Sequence, residues 1–369
     1  MNNPTDAIRI GVVGGGLIAQ AVHLPNLAAN PRTELVALAD PSALVGKGLA
    51  VRYGIPRTYL DWRAMLDGER LDAVVVCSPH STHAAIVLAA IDLGVHALVE
   101  KPLCIDPADA VVIAERAGAA GVVVQVGYMK RYDPGFESFL DALPPTGDDV
   151  HLIDVTTFDP WMSREPFVRW DEFVRGDDID PALLQGFRAE EAAQVGAAVG
   201  ADDPDTVRAF SYTFLACLVH DINLVSGVLD RWGVGATAES SHAWADGNAA
   251  TAALRLDNDA VWRSTWLLLP EQQEFEESAR VFFPGSIHEL RFPVPYHSEV
   301  ATEHVVRGSG NRGEVQRTER RFVSDSYVAE LNAFVDAVAG APTNRTPPEQ
   351  GGRDIALLRD LFLARVASA

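Results

Sequence analysis

The stretch that most constrains this chain is Ile8-Arg-Ile-Gly-Val-Val-Gly-Gly-Gly-Leu-Ile-Ala19. Its apolar run, Ile8 to Val13, reads as a buried strand that ends in Gly14-x-Gly16-x-x-Ala19. Gly14 permits a tight turn, Gly16 lets backbone approach a pyrophosphate, and Ala19 is small enough for the next helix to pack against the strand. Leu17 and Ile18 then fall at the start of that helix, whose free N–H groups and positive dipole end favour phosphate. A second apolar strand, Leu35 to Ala39, leads into Asp40, 24 residues beyond Gly16. A carboxylate near that spacing can meet the hydroxyls of a dinucleotide's ribose. The competing reading is an ordinary βα turn of another α/β protein.

Strand-like and helix-like segments alternate from residue 8 to about 127. Ala73 to Val76 is continuously apolar, as parallel strands buried on both faces are. A helix is expected over Ala84 to Leu93, closed by Gly94. The next strand, His96 to Val99, leads into Glu100-Lys101-Pro102. A second helix is expected over Pro107 to Ala117, closed by Gly118, then a strand from Val122 to Val126. This pattern predicts a doubly wound α/β domain with a parallel sheet, whose ligand lies beyond the carboxyl ends of the strands. The loops there are Gly14–Ala19, Asp40–Ser42, Ser78–His83, Glu100–Pro102 and Gly127–Tyr132.

The turn-rich stretch Asp141 to Asp149 marks a change of character. A strand is expected over His151 to Phe158, an irregular acidic segment over Trp161 to Asp205, and a mostly apolar helix over Ser211 to Leu229. Residues 233 to 323 alternate in long strands broken at Asp246-Gly247-Asn248, Asp257-Asn258-Asp259, Pro284-Gly285 and Gly308 to Gly313, which predicts an antiparallel open sheet. Helices over Ser326 to Ala339 and Gly352 to Val366, separated by the linker Pro342 to Pro348, close the pattern.

The charge balance, 30 basic against 51 acidic residues for a net −21, argues against nucleic acid and anionic membrane as partners, since both require basic surface. No run of 18 apolar residues predicts a membrane span. The opening residues lack the basic region of a signal peptide. Three cysteines, far apart and in no CxxC pair, predict neither disulfides nor a zinc site and fit a reducing cytoplasm.

Only Lys47, Lys101 and Lys130 are lysines, so this chain writes its surface charge as arginine. Lys101, at the end of a strand, would face a nicotinamide, where a partly buried ammonium can polarise a carbonyl or shuttle a proton; the alternative is a surface lysine in a turn. His220 and Asp221 lie on an apolar helix, either hydrogen-bonded within the core or facing a cavity, where histidine is the commonest general base near neutral pH. His80 and His83, after Ser78-Pro79, could bind cofactor, cap a helix or bind metal; with no supporting carboxylate or cysteine pattern, no metal is expected. Tyr128, Met129 and Lys130 could line a substrate pocket, or with Arg131 and Tyr132 form hinge contacts.

Together, Gly14-Gly-Gly16-Leu-Ile-Ala19, Ala39-Asp40, Ser78-Pro79-His80-x-x-His83, Gly94-x-His96-x-Leu98-x-Glu100-Lys101-Pro102-Leu103 and Gly127-Tyr-Met-Lys-Arg131-Tyr132-Asp133 resemble the Gfo/Idh/MocA oxidoreductases. The resemblance implies a Rossmann domain over 1–127. It also implies an α+β substrate domain over 128–369, whose large open sheet would mediate a homodimer or homotetramer and whose last helices would pack back on the first domain. It implies NAD(P)-dependent interconversion of a secondary alcohol and ketone on a sugar or cyclitol. Lys101 then resembles the active-site lysine, His220 the catalytic histidine and Asp40 the ribose-binding acid. Gly14, Gly16, Leu17, Ile18, Ser78, Pro79, His80, His83, Glu100 and Lys101 would border the cofactor. Tyr128, Met129, Lys130, Asp159 and His220 would border the substrate. Pro41, where NADP users often place arginine, favours NAD over NADP. Two departures stand out: Asp202-Asp-Pro-Asp205 and a longer acidic segment, 161–205, take the place of the Gly-rich loop that usually precedes this helix, and the aspartate that many members place four residues before the histidine is Ala216 here. Asp221, Asp159, Tyr128 or Tyr212 could take that aspartate's place. Two further readings are an NAD-using glycosidase with transient oxidation, and a non-catalytic sugar or NAD sensor.

Overall fold

In the computed structural model the described residues are 7–160, 172–244, 247–296, 300–310 and 314–365. The opening residues, Trp161 to Asp171, the start of the turn at Asp246, the end of the break at Gly313 and the predicted helix end at Val366 lie outside them.

A six-stranded parallel sheet comes from β1 (Ile8–Val13), β2 (Thr33–Ala39), β3 (Arg57–Tyr59), β4 (Ala73–Val76), β5 (His96–Glu100) and β6 (Val124–Gly127). Its order is β3-β2-β1-β4-β5-β6. The order reverses at β1, and the crevice at such a switch point is where doubly wound sheets take ligands. Helices α1 (Leu24–Ala29), α2 (Ala43–Tyr53), α3 (Trp62–Gly68), α4 (His80–Asp92) and α5 (Pro107–Ala120) connect the strands. β1 and β4 are apolar because both faces are covered: Ile10, Val12 and Ala73 to Val76 are fully buried.

The helix expected from Ala84 begins earlier, at His80, directly after Pro79, which makes no side-chain capping bond. α5 runs past Gly118 and stops at Gly121, whose φ of 64° gives the left-handed turn that closes a helix.

A second sheet of eight strands has the order β14-β13-β12-β11-β7-β10-β9-β8. Its strands are β7 (Leu152–Asp159), β8 (Ala236–Trp244), β9 (Ala249–Leu256), β10 (Val261–Leu268), β11 (Glu276–Phe282), β12 (Ser286–Phe292), β13 (Ala301–Ser309) and β14 (Val315–Val323). All pairings are antiparallel except β7 with β10. α6 (Pro134–Ala142) packs on β12 and β13. Arg263 and Arg280 both bridge to Asp154, and Arg291 and Arg307 to Glu289.

α7 (Pro181–Val199), α8 (Pro204–Val207), α9 (Val219–Trp232), α10 (Ser326–Val338) and α11 (Pro348–Leu363) complete the helices among the described residues. The apolar helix expected over Ser211 to Leu229 is longer: α8 and α9 are joined without a break by a π-helical stretch, Arg208–Leu218. Contrary to the expectation that nothing could span a membrane, Pro204–Trp232 is long and apolar enough to cross one. Most of its apolar window, 72%, is buried inside the protein, as in a core helix. The three cysteines are free.

The chain divides into two units, one of residues 1–128, 169–200 and 327–353, the other of 129–168, 201–326 and 354–369. The first is therefore discontinuous. Its core gathers Ile10, Val12, Leu38, Val75 and Leu98 from the parallel sheet with Leu331, Phe334 and Val335 of α10. Phe334→Ala should cost about 3–5 kcal/mol, the range for deleting a fully buried aromatic ring. Urea denaturation measures this, and a loss below about 1 kcal/mol would show that α10 is not part of that core.

Candidate functional site

The Gly-rich loop follows β1. A Cβ on Gly14 would lie 2.7 Å from the Cys77 carbonyl oxygen, and its φ of 91° disfavours any side chain. A Cβ on Gly15 would lie 2.7 Å from a Val45 methyl, so this position too must be bare. Gly16 is exposed, with nothing within 4 Å of where a Cβ would point, leaving open space over the loop. Ala19 is fully buried under the turn that follows. This is a cradle with the shape a pyrophosphate needs, and the residues present fit a dinucleotide.

Asp40, at the end of β2, accepts from Gly15 N at 2.7 Å and from Ser42 N at 2.8 Å. Burial pushes its carboxyl up, the two backbone bonds oppose this, and the nearby Asp178 charge adds to the rise. Ser78, after β4, shares a 2.6 Å hydroxyl contact with Thr82.

Glu100 is a buried acid with a partner on each oxygen. His23 Nε2 donates to its Oε1 at 2.8 Å with both side chains buried, and Lys101 N donates to its Oε2 at 3.2 Å. Burial opposes ionisation of both partners. Contacts with Cys77 and Glu100 nevertheless hold His23 well above its ordinary value, while His23, with Lys101 and His83, holds Glu100 below its own. The pair is an imidazolium and a carboxylate. Glu330 of α10 is buried close enough to feel both; burial and the Glu100 charge push its carboxyl well up, so it keeps its proton.

His83 is fully buried, with Nδ1 2.7 Å from the Pro102 carbonyl and Nε2 2.9 Å from the Ser78 carbonyl. A neutral ring can donate to only one of them, and burial favours the neutral ring. Its ring thus lies between the loop after β4 and the Lys101 turn and donates to one of them. His80 meets it edge-on at 5.7 Å; burial, His83 and Lys101 keep His80 well below its ordinary value and neutral. Gly14, Gly16, Asp40, Ser78, His80, His83, Glu100 and Lys101 therefore gather along the strand ends of one sheet, as the sequence suggested. Leu17 and Ile18 are half-buried at the head of the first helical turn, and Pro79 is exposed.

In the second unit, Lys130 forms a buried ion pair with Glu277 and lies 5.2 Å above the Phe292 ring. Met129 is buried beside it in a short 3₁₀ turn, Met129–Tyr132. Tyr128, the last residue of the first unit's opening segment, is buried at 1% exposure. Asp159, at the end of β7, is half-buried. His220 is half-buried at the second position of α9, and Ala216 lies in the π-helical stretch before it.

Asp221, a candidate to orient His220, instead receives a 3.2 Å bond from Thr157 Oγ1, and its Oδ2 has no hydrogen-bond partner. Burial, with the Glu277 charge beside it, pushes Asp221 up to about 8, against the pull of Lys130 and Thr157. At neutral pH it is an uncharged acid. Sequence reasoning did not single out His23, Gln20, Asp178, Glu277 or Glu330. Each takes its meaning from a partner at least five residues away, and for all but Gln20's bond to Gly15 the separation exceeds 70 residues.

Residues 8–128 match the model described as "Oxidoreductase family, NAD-binding Rossmann fold". This segment is a Gfo/Idh/MocA NAD-binding Rossmann domain. Among curated relatives, the myo-inositol 2-dehydrogenase of Thermotoga maritima is 30% identical over 163 residues, 44% of this chain and 48% of the relative. The scyllo-inositol 2-dehydrogenase (NAD(+)) of Bacillus subtilis is 32% identical over 236 residues, 64% of this chain and 57% of the relative. The chain thus spans about half the length of the curated relatives it matches. Among solved structures, a UDP-N-acetylglucosamine 3-dehydrogenase from Acidithiobacillus ferrooxidans aligns over 97% of both chains with a TM-score of 0.72 and 21% identity. The scyllo-inositol dehydrogenase of Lactobacillus casei with NAD(H) and scyllo-inositol aligns over 98% of this chain and 97% of that one, with a TM-score of 0.69 and 17% identity. The two-part fold is the fold of those dehydrogenases.

The protonated Asp221 leaves a mark on stability. An unfolded chain releases that proton near pH 4, whereas the folded chain keeps it to about pH 8. Between those values the folded state binds more protons, so stability falls as pH rises. Asp221→Asn removes this contribution. Urea midpoints at pH 5 and pH 8 should differ less in the variant than in the wild type; an equal difference would show that Asp221 ionises normally.

Proposed function

We propose that this protein is an NAD-dependent oxidoreductase that interconverts a secondary alcohol and a ketone on a sugar, sugar derivative or cyclitol. The observation that carries this reading is the Lys101 turn. Glu100, bonded to His23 and to Lys101 N, holds that turn at the end of β5, in the same sheet as the β1 strand that leads into the dinucleotide cradle. The names of the inositol dehydrogenase relatives support the substrate class.

A nicotinamide bound to the first unit supplies the hydride acceptor. Lys101, a cation on a fixed turn, stabilises the negative charge that develops on the substrate oxygen. His220 takes the hydroxyl proton in oxidation and returns it in reduction. Tyr128, Met129, Lys130 and Asp159 are assigned to substrate binding. Because Asp221 is uncharged and turned to Thr157, the histidine's basicity does not depend on an adjacent carboxylate from that residue. A homodimer or homotetramer through the large sheet, and a cytoplasmic location, complete the reading.

The experiment is a panel of cyclitols, hexoses and glycosides followed by NADH absorbance. Lys101→Met should bind NADH within a few-fold of wild type and lose about 100-fold or more in turnover. Near-normal turnover in that variant removes Lys101 from the chemistry. Aglycone release without net NADH would favour transient oxidation of a glycoside, and NADH binding without any turnover would favour a sensor.

A further inference from the structure

The segment after residue 171, part of the acidic stretch that runs to residue 205, is fastened to the dinucleotide cradle. Gln20 makes the first anchor. Its Oε1 accepts from Val174 N at 2.8 Å, and its Nε2 donates to Val174 O at 2.9 Å and to Gly15 O at 2.7 Å. Arg52 of α2 makes the second, donating to Glu172 O at 2.6 Å. Packing makes the third. Val174 fills the space over Gly48, where a Cβ would lie 2.5 Å from its methyl, and Gly176 is so close to Ser42 that a Cβ there would overlap the hydroxyl. All of these residues belong to the first unit.

The strap ends by delivering a carboxylate to the β2–α2 turn. Ser42 Oγ donates to Asp178 Oδ1, and Leu44 N donates to Asp178 Oδ2 at 3.1 Å. Ser42 N is already taken by Asp40. Ser42 N, the Ser42 hydroxyl and Leu44 N are therefore divided between two carboxylates.

We propose that Asp178 is a specificity-determining residue that excludes NADP. It occupies the donors at the β2–α2 turn that a 2′-phosphate would need, and sets a second negative charge beside Asp40. This rests on the reading that the first unit binds NAD. In dinucleotide folds the residue after β2 meets the 2′-hydroxyl of NAD, and a cation near it accommodates the 2′-phosphate of NADP. Here the groups in that place are Asp40, Pro41, Ser42 and the incoming Asp178. A phosphate carrying nearly two negative charges meets repulsion from both carboxylates, and the Ser42 N, Ser42 hydroxyl and Leu44 N donors are already taken. The 2′-hydroxyl of NAD needs only an acceptor, which Asp40 supplies. The Ser42 hydroxyl bond and the Leu44 N–H bond keep Asp178 below the usual carboxylate range, so the charge persists throughout the neutral range. Asp178 is exposed and lies on a strap, so its replacement leaves the core intact.

The test is direct titration of the full chain with NADH and with NADPH, read by nicotinamide fluorescence or calorimetry. Wild type is expected to bind NADPH at least 50-fold more weakly than NADH. Asp178→Ser should tighten NADPH 10-fold or more while leaving NADH within 3-fold. Asp178→Asn, which keeps the shape and loses the charge, should recover part of that gain. The gap should also narrow in wild type as salt is raised, because the repulsion is screened. NADH binding with the same NADPH ratio in wild type and both variants overturns the role of Asp178 alone. Binding of neither cofactor by wild type overturns the NAD reading together with it.

Discussion

One buried ion pair, His23 with Glu100, organises the first unit. His23 ends the first helical turn after the Gly-rich loop, and Glu100 ends β5, so their 2.8 Å bond joins the cofactor cradle to the Lys101 turn across the sheet's strand ends. Burying an isolated charge in such a place is prohibitive, but a pair that also satisfies its remaining polar atoms is tolerated. Glu100 does so through Lys101 N, and Glu330 nearby avoids a third charge by staying protonated. Removing either member would strand the other, so the turn and the cradle are held to one arrangement.

The second unit handles buried polarity differently. Lys130 pairs with Glu277, and Asp221, pushed up by burial and the Glu277 charge against the pull of Lys130, keeps a proton instead. The Lys130, Glu277 and Asp221 cluster thus carries little net charge. His220 lies at the point where that helix changes from π to α winding. π-helical stretches in longer helices are frequent at functional positions.

The first unit was legible where the signal was local. The Gly14–Ala19 loop, Asp40 and the Glu100-Lys101-Pro102 turn each declare themselves within a few residues, because strand ends and glycine turns are set by nearest neighbours. The sequence was silent where meaning came from distance. Gln20 is an unremarked helix residue until Val174, 154 positions away, reaches its amide. Asp178 is one acid among many until it meets Ser42. The π-helical stretch was invisible because its composition is that of any buried helix, and α5 overran Gly118 because a glycine stops a helix only where the next turn needs positive φ. The assignment of 169–200 and 327–353 to the first unit likewise depends on packing that periodicity does not encode.

That assignment has a consequence for how the protein must be made. The peptide passes from one unit to the other at 128/129, 168/169, 200/201, 326/327 and 353/354. The NAD-binding unit lacks part of its hydrophobic interior until Phe334 and its neighbours have been synthesised. A ribosome releasing the first 128 residues therefore exposes a sheet whose core still lacks the α10 side chains. Neither unit can be cut out or exchanged as one continuous piece, and the two halves of the molecule are bound to mature, and to be inherited, together.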